Sequence, residues 1–172
     1  MHSLMEQIAN GIEAATKGIS ADELRFVPQP GKWSVGEILE HLTLAYTSTT
    51  LGLNRALERG GGEAVPISFK QKILRTAVLG LGYFPEGRKA PAHVVPQGKD
   101  MEYALDSALK SIPALDLVIA ACEQRFGNGI RLLKHPVFGA LSAKEWRRFH
   151  QVHTLHHLKQ ITRLRKLAGE KK

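Results

Sequence analysis

Residues 142–167 read S-A-K-E-W-R-R-F-H-Q-V-H-T-L-H-H-L-K-Q-I-T-R-L-R-K-L, and their spacing predicts one long helix. Ser142 with Glu145 three residues on has the form of a capping box, in which two side chains satisfy backbone donors at a helix start. Each residue turns a helix by about 100°, so Trp146, His150, His153, His157, Gln160 and Leu164 share one stripe. Both ends of that stripe are apolar, which turns it toward a protein interior. The histidines in its middle are then buried or line a cavity, and His156 falls on the flank.

Working outward, Ser34 with Glu37 forms a second capping box, preceded by Trp33. The helix it starts runs to about Arg59 and ends at Gly60, Gly61 and Gly62. Its apolar stripe is Val35, Ile38, Leu42, Ala45, Leu53 and Leu57, and His41 lies on the same inward side. A first helix is predicted over residues 3 to 17, with Gly18 at its C-cap, followed by a connector containing Pro28 and Pro30. A third spans Asp100 to Phe126, with Pro113 expected to kink or break it, and Gly127, Asn128 and Gly129 stop it. Residues 63 to 99 hold Pro66, Pro85, Pro91 and Pro96 around a short helix, Phe69 to Leu79, and read as a lid or long crossover. Four long amphipathic segments describe an all-α four-helix bundle, a single domain over residues 1–172 with a long connection between its second and third helices.

Composition agrees. The chain has 172 residues, 43% hydrophobic and 6% aromatic, enough to bury a full core without disulfides or a structural metal. Stability therefore need not explain the histidines. One cysteine, Cys122, fits a reducing compartment. The N-terminus lacks the apolar core of a signal peptide, and no stretch approaches the length of a membrane span, so a cytoplasmic protein and no membrane partner are expected. Net charge is +8, much of it near the C-terminus in Arg163, Arg165, Lys166, Lys171 and Lys172. No helix-turn-helix signature, zinc-finger spacing or aromatic-rich basic strand accompanies it, so nucleic-acid binding is not expected.

His153 and His157 differ by only about 40° around the helix axis and put two imidazoles on one face. With a third facing from another helix, the pattern points to a divalent transition metal held by three protein ligands with one position open. The competing reading is that buried histidines satisfy one another and nearby carbonyls. Three neutral imidazoles leave the metal its full charge. It could then stabilise a thiolate or lower the pKa of a bound water.

The segments P-G-K-W-S-V-G-E-I-L-E-H-L (30–42), H-P-V-F-G-A-L-S-A-K-E-W (135–146) and H-T-L-H-H-L-K-Q-I (153–161) together resemble the DinB superfamily of DinB-like and YfiT-like proteins, in its uncharacterised branch with a His-Pro-x-Phe-Gly segment. The resemblance covers most of the chain. It implies a four-helix bundle, a homodimer, and zinc or nickel on one histidine of the second helix and two of the last, here His41, His153 and His157. It also implies either thiol-dependent S-transfer, with a low-molecular-weight thiol as cofactor, or metal-assisted hydrolysis. The rival reading is a non-catalytic interaction protein.

Catalytic residues and substrate stay unassigned. Gln160, one turn beyond His157, could orient a ligand or bound water. His150 is placed for a fourth ligand or a general acid/base, and His156 for a direct ligand or a carboxylate pair. Glu37 could accept from an imidazole, although its capping role already explains it. Trp33 and Trp146 read as packing anchors and Cys122 as a packed helix residue. His135 shapes the turn before the last helix. Arg88, Lys89, His93 and Lys99 form a basic cluster in the lid, read as solvated or as meeting an anionic substrate.

Overall fold

The computed structural model describes residues 1–62, 67–84, 87, 89–98 and 101–170. Four long helices dominate it, and their apolar faces join in one cluster. Helix α1, Ser3–Thr16, buries Met5, Ile8, Ile12 and Thr16, a spacing of three and four residues that keeps one face inward. A short α2, Ala21–Arg25, follows. Helix α3, Val35–Arg59, starts at the Ser34–Glu37 capping box and ends at Gly60. After a short α4, Phe69–Arg75, the chain continues as a π-helical turn, Thr76–Gly80. Single 3₁₀ turns occupy Ala92–Val94 and Met101–Tyr103. Helices α5, Ala104–Phe126, and α6, Ala143–Gly169, complete the core, α6 entering through the Ser142–Glu145 box. The most extensive pairings are α3 with α5 and α1 with α6, and α6 also meets α3 and α5.

The mostly helical expectation holds, with three differences. Helix α2 carries its own capping box, Ser20 with Glu23, inside the stretch read as a connector. Helix α5 runs unbroken through Pro113. A proline removes one backbone donor from the ladder, while Ala108, Ile112, Leu115 and Ile119 on either side are fully buried, so packing holds the helix across the gap. The expected start at Asp100 lies outside the described residues, as do Pro66 and Pro85.

The third difference is a two-stranded antiparallel sheet, so the fold is not purely α. Strand β1, Arg131–His135, pairs with β2, Gly139–Ser142, and Leu133 faces Leu141 in the register. The turn between them is H-P-V-F-G. His135 Nδ1 accepts the backbone N–H groups of Val137 (3.1 Å) and Phe138 (3.3 Å), much as a short polar side chain closes a turn on its own backbone. Gly139 closes the hairpin at φ 72°, a conformation that costs glycine little. Trp146 Nε1 donates to Leu133 O at 3.2 Å, which fixes the first turn of α6 on the hairpin. Among the described residues no helix is long and apolar enough to cross a membrane.

Candidate metal centre

Three histidines meet between α3 and α6. His41 projects from the N-terminal third of α3, and His153 and His157 from successive turns of α6; they are only 4%, 6% and 6% exposed. One ring nitrogen of each lies within 4.8 Å of the others. His41 Nε2 is 3.2 Å from His153 Nε2, and His157 Nε2 is 3.1 Å from the same atom. A tetrahedral ion bonded to imidazoles at about 2.0–2.1 Å spaces its ligand nitrogens by about 3.4 Å, close to both distances from His153; the His41 and His157 nitrogens lie within 4.8 Å of each other.

Proton bookkeeping sharpens the geometry. The far nitrogen of His41, Nδ1, lies 2.7 Å from Val94 O; a carbonyl only accepts, so Nδ1 carries the proton. His157 Nδ1 lies 2.8 Å from Gln160 Oε1, while the Gln160 amide nitrogen faces His156 Nε2 at 3.1 Å. This places a proton on His157 Nδ1 too. Both rings therefore aim an Nε2 lone pair at the centre. The last proton, on His153, has two places. At Nε2 it can point along a straight bond to only one of two waiting lone pairs. At Nδ1, which has no partner among the described residues, it leaves three lone pairs converging, an arrangement that a cation satisfies.

Electrostatics holds the rings neutral, the form that ligates. Burial pushes the His157 pKa down to about 3, assisted by His41, with the Gln160 bond opposing. His153 sits well below its ordinary range through burial, then through His157 and His41 beside it. His41 is also lowered by burial, against a raising contribution from Val94.

Aromatic rings close the site. Trp33 lies 4.9 Å from the His41 ring and 6.5 Å from that of His157, centroid to centroid. Phe84 lies 5.3 Å from His153 and 4.9 Å from His156. Phe149 stacks on His153 at 5.2 Å. Trp33, read as a packing anchor, thus packs on two of the histidines themselves.

The remaining sequence candidates fall elsewhere or take other parts. Gln160 meets His157 through its Oε1. His150 is fully buried one turn before His153, but its Nε2 pairs with Thr49 Oγ1 at 3.0 Å, and it packs on Tyr46, Trp146 and Phe149. It stands outside the trio. His156 meets Gln160 and Phe84 and is also outside it. Glu37 serves the capping box alone among the described contacts. Trp146 is a packing residue, and Cys122 is buried with its thiol pKa raised by burial, unsuited to a nucleophile. In the lid cluster, His93 is exposed on the 3₁₀ turn and Lys89 is exposed, while Arg88 and Lys99 lie outside the described residues.

Sequence reasoning missed Phe84 and the Val94 carbonyl, both in the stretch read as a lid or crossover. The only local signal was an apolar pair, Val94 and Val95, between Pro91 and Pro96.

A family model described as "Protein of unknown function (DUF1569)" matches residues 4–164. The chain is also similar to "Uncharacterized protein YuaE" of Bacillus subtilis (strain 168), 27% identical over 154 residues that cover 87% of each chain. No solved structure matches. Neither match carries a named activity or a DinB-like description, so that likeness rests on the motifs alone.

Proposed function

This chain belongs to the DUF1569 family of proteins of unknown function, and from that premise we propose that it binds one divalent transition metal, zinc or nickel, through His41, His153 and His157. The single observation that carries this reading is the convergence of three neutral Nε2 atoms, two with their protons committed to Val94 and Gln160 on the far side. A divalent cation there would supply a Lewis acid that favours deprotonation of a thiol or a water. The chain's own part is to keep three imidazoles neutral, orient two of them from behind, and wall the site with Trp33, Phe84 and Phe149.

The finer reading is a single-domain, DinB-like four-helix bundle that performs thiol-dependent S-transfer or metal-assisted hydrolysis, with the fourth ligand position for substrate. Its support is the motif likeness together with a three-histidine donor set that leaves one position of a tetrahedron open. A second reading, a homodimeric interaction protein, draws on exposed Phe69, Ile73, Leu81 and Tyr83 around α4 and the π-helical turn.

Metal content by plasma mass spectrometry tests the first reading, on untagged protein purified without added metal and on the His153→Ala/His157→Ala variant. Stoichiometric metal in the parent and none in the variant is the expected result. A parent that stays empty after reconstitution with zinc, nickel and manganese overturns it.

A further inference from the structure

The strap that supplies the Val94 carbonyl is itself clasped. Glu40, immediately before His41 on α3, accepts two successive backbone N–H groups, Gln97 on Oε1 and Gly98 on Oε2, each at 2.9 Å. Such charge-assisted bonds to a carboxylate are stronger than neutral ones. Val94 and Pro96 turn inward in alternation and are buried. Gly98 has φ 68°, a left-handed turn that a side chain would resist. Two neighbouring residues of one helix thus hold the strap at two points, His41 through Val94 and Glu40 through Gln97 and Gly98.

We infer that Glu40 is a positioning residue for the metal centre: by clasping Gln97 and Gly98 it keeps the Val94 carbonyl on His41 Nδ1, so that strap ordering and metal loading form one linked equilibrium. This rests on the metal-binding reading above. Glu40 is committed to the strap and acts on His41 through it. Without the Val94 acceptor, the His41 proton is free to move to Nε2, where it blocks the lone pair that ligates. Linkage then runs both ways: a tied strap favours metal, and metal favours a tied strap to the same extent.

The test uses the full chain with Glu40→Gln and Glu40→Ala, and three readouts. Nitrogen NMR of the imidazoles in metal-free protein reports the His41 tautomer, hydrogen exchange reports the Gln97 and Gly98 amides, and chelator competition reports zinc affinity. Expected for Glu40→Ala are mixed His41 tautomers, faster exchange at both amides and a zinc Kd raised about 10- to 100-fold, the usual penalty for losing a partner behind a ligand. Glu40→Gln keeps one acceptor oxygen and should fall between, which also serves if the alanine variant folds poorly. In the parent, zinc should slow exchange at the two amides. A lower Tm with the parental tautomer and zinc Kd would show a merely structural role and overturn the inference. If neither parent nor variants take zinc, the metal reading fails instead. The tautomer and exchange data then decide the clasp: parental values in the variants overturn it.

Discussion

His157 Nδ1 meets Gln160 Oε1 at 2.8 Å on the side of the ring away from the trio. They stand three positions apart on α6, so the helix itself sets the contact and little else need adjust. Gln160→Ala should leave the helix intact and lower zinc affinity about tenfold or more, because an unbuttressed imidazole samples both tautomers. Competition titration against a chelator of known affinity checks this. An unchanged Kd would remove Gln160 from the centre.

Metal should also register as stability. A ligand that binds only the folded state stabilises it by about 2.7 kcal/mol at a free concentration of 100 times its Kd. Zinc is therefore expected to raise the parent's Tm by several degrees and to leave that of His153→Leu unmoved. The metal-free His153→Leu protein should lose no more than about 1–3 kcal/mol: the substitution removes a buried Nδ1 that has no partner among the described residues, but it also leaves the Nε2 atoms of His41 and His157 without their neighbour at 3.2 and 3.1 Å. Thermal scans with and without zinc decide it. An equal zinc response in both proteins would place the metal elsewhere.

How far the sequence foretold all this depends on range. Ser34 with Glu37 and Ser142 with Glu145 were legible because a capping box is a bond between residues three apart. The i, i+4 pair on α6 was legible for the same reason. Ser20 with Glu23 has the same signature, but α2 buries only Leu24, too little periodicity to stand out. The hairpin was hidden because its support is tertiary: Trp146 bonds Leu133 O, and Leu133 packs so closely on Gly52 that an added Cβ there would lie 2.5 Å from it. The Val94 carbonyl is 53 residues from His41, and backbone paths of that kind leave no spacing to read.

Tyr46 and Thr154 give a control within the same helix pair. Their hydroxyls meet at 2.6 Å, with both residues fully buried, so Tyr46→Phe removes one partner of a buried hydrogen bond. The expected loss is about 1–2 kcal/mol of stability, read by urea denaturation, with zinc stoichiometry unchanged. Loss of metal in this variant would mean that the α3–α6 spacing, and not the ligands alone, limits binding.

Acid should unfold the metal-free protein through its buried histidines. His150 is fully buried and lowered to about 3 by burial, then by His135, and His135 is lowered to about 3 by burial, then by His93. Both start from 6.5 in the unfolded chain, so between about pH 6.5 and 3 the unfolded state binds protons that the native state refuses. Stability therefore falls as pH drops through that window, at most by about 1.4 kcal/mol per unit for each group. Below about pH 3 both states are protonated and these two contributions level off. Urea midpoints from pH 7 to pH 4 should show this slope, and His150→Leu should flatten it by up to one proton's worth. A slope identical to the parent's would mean that His150 is already protonated in the folded chain, with Thr49 Oγ1 accepting from its imidazolium at Nε2.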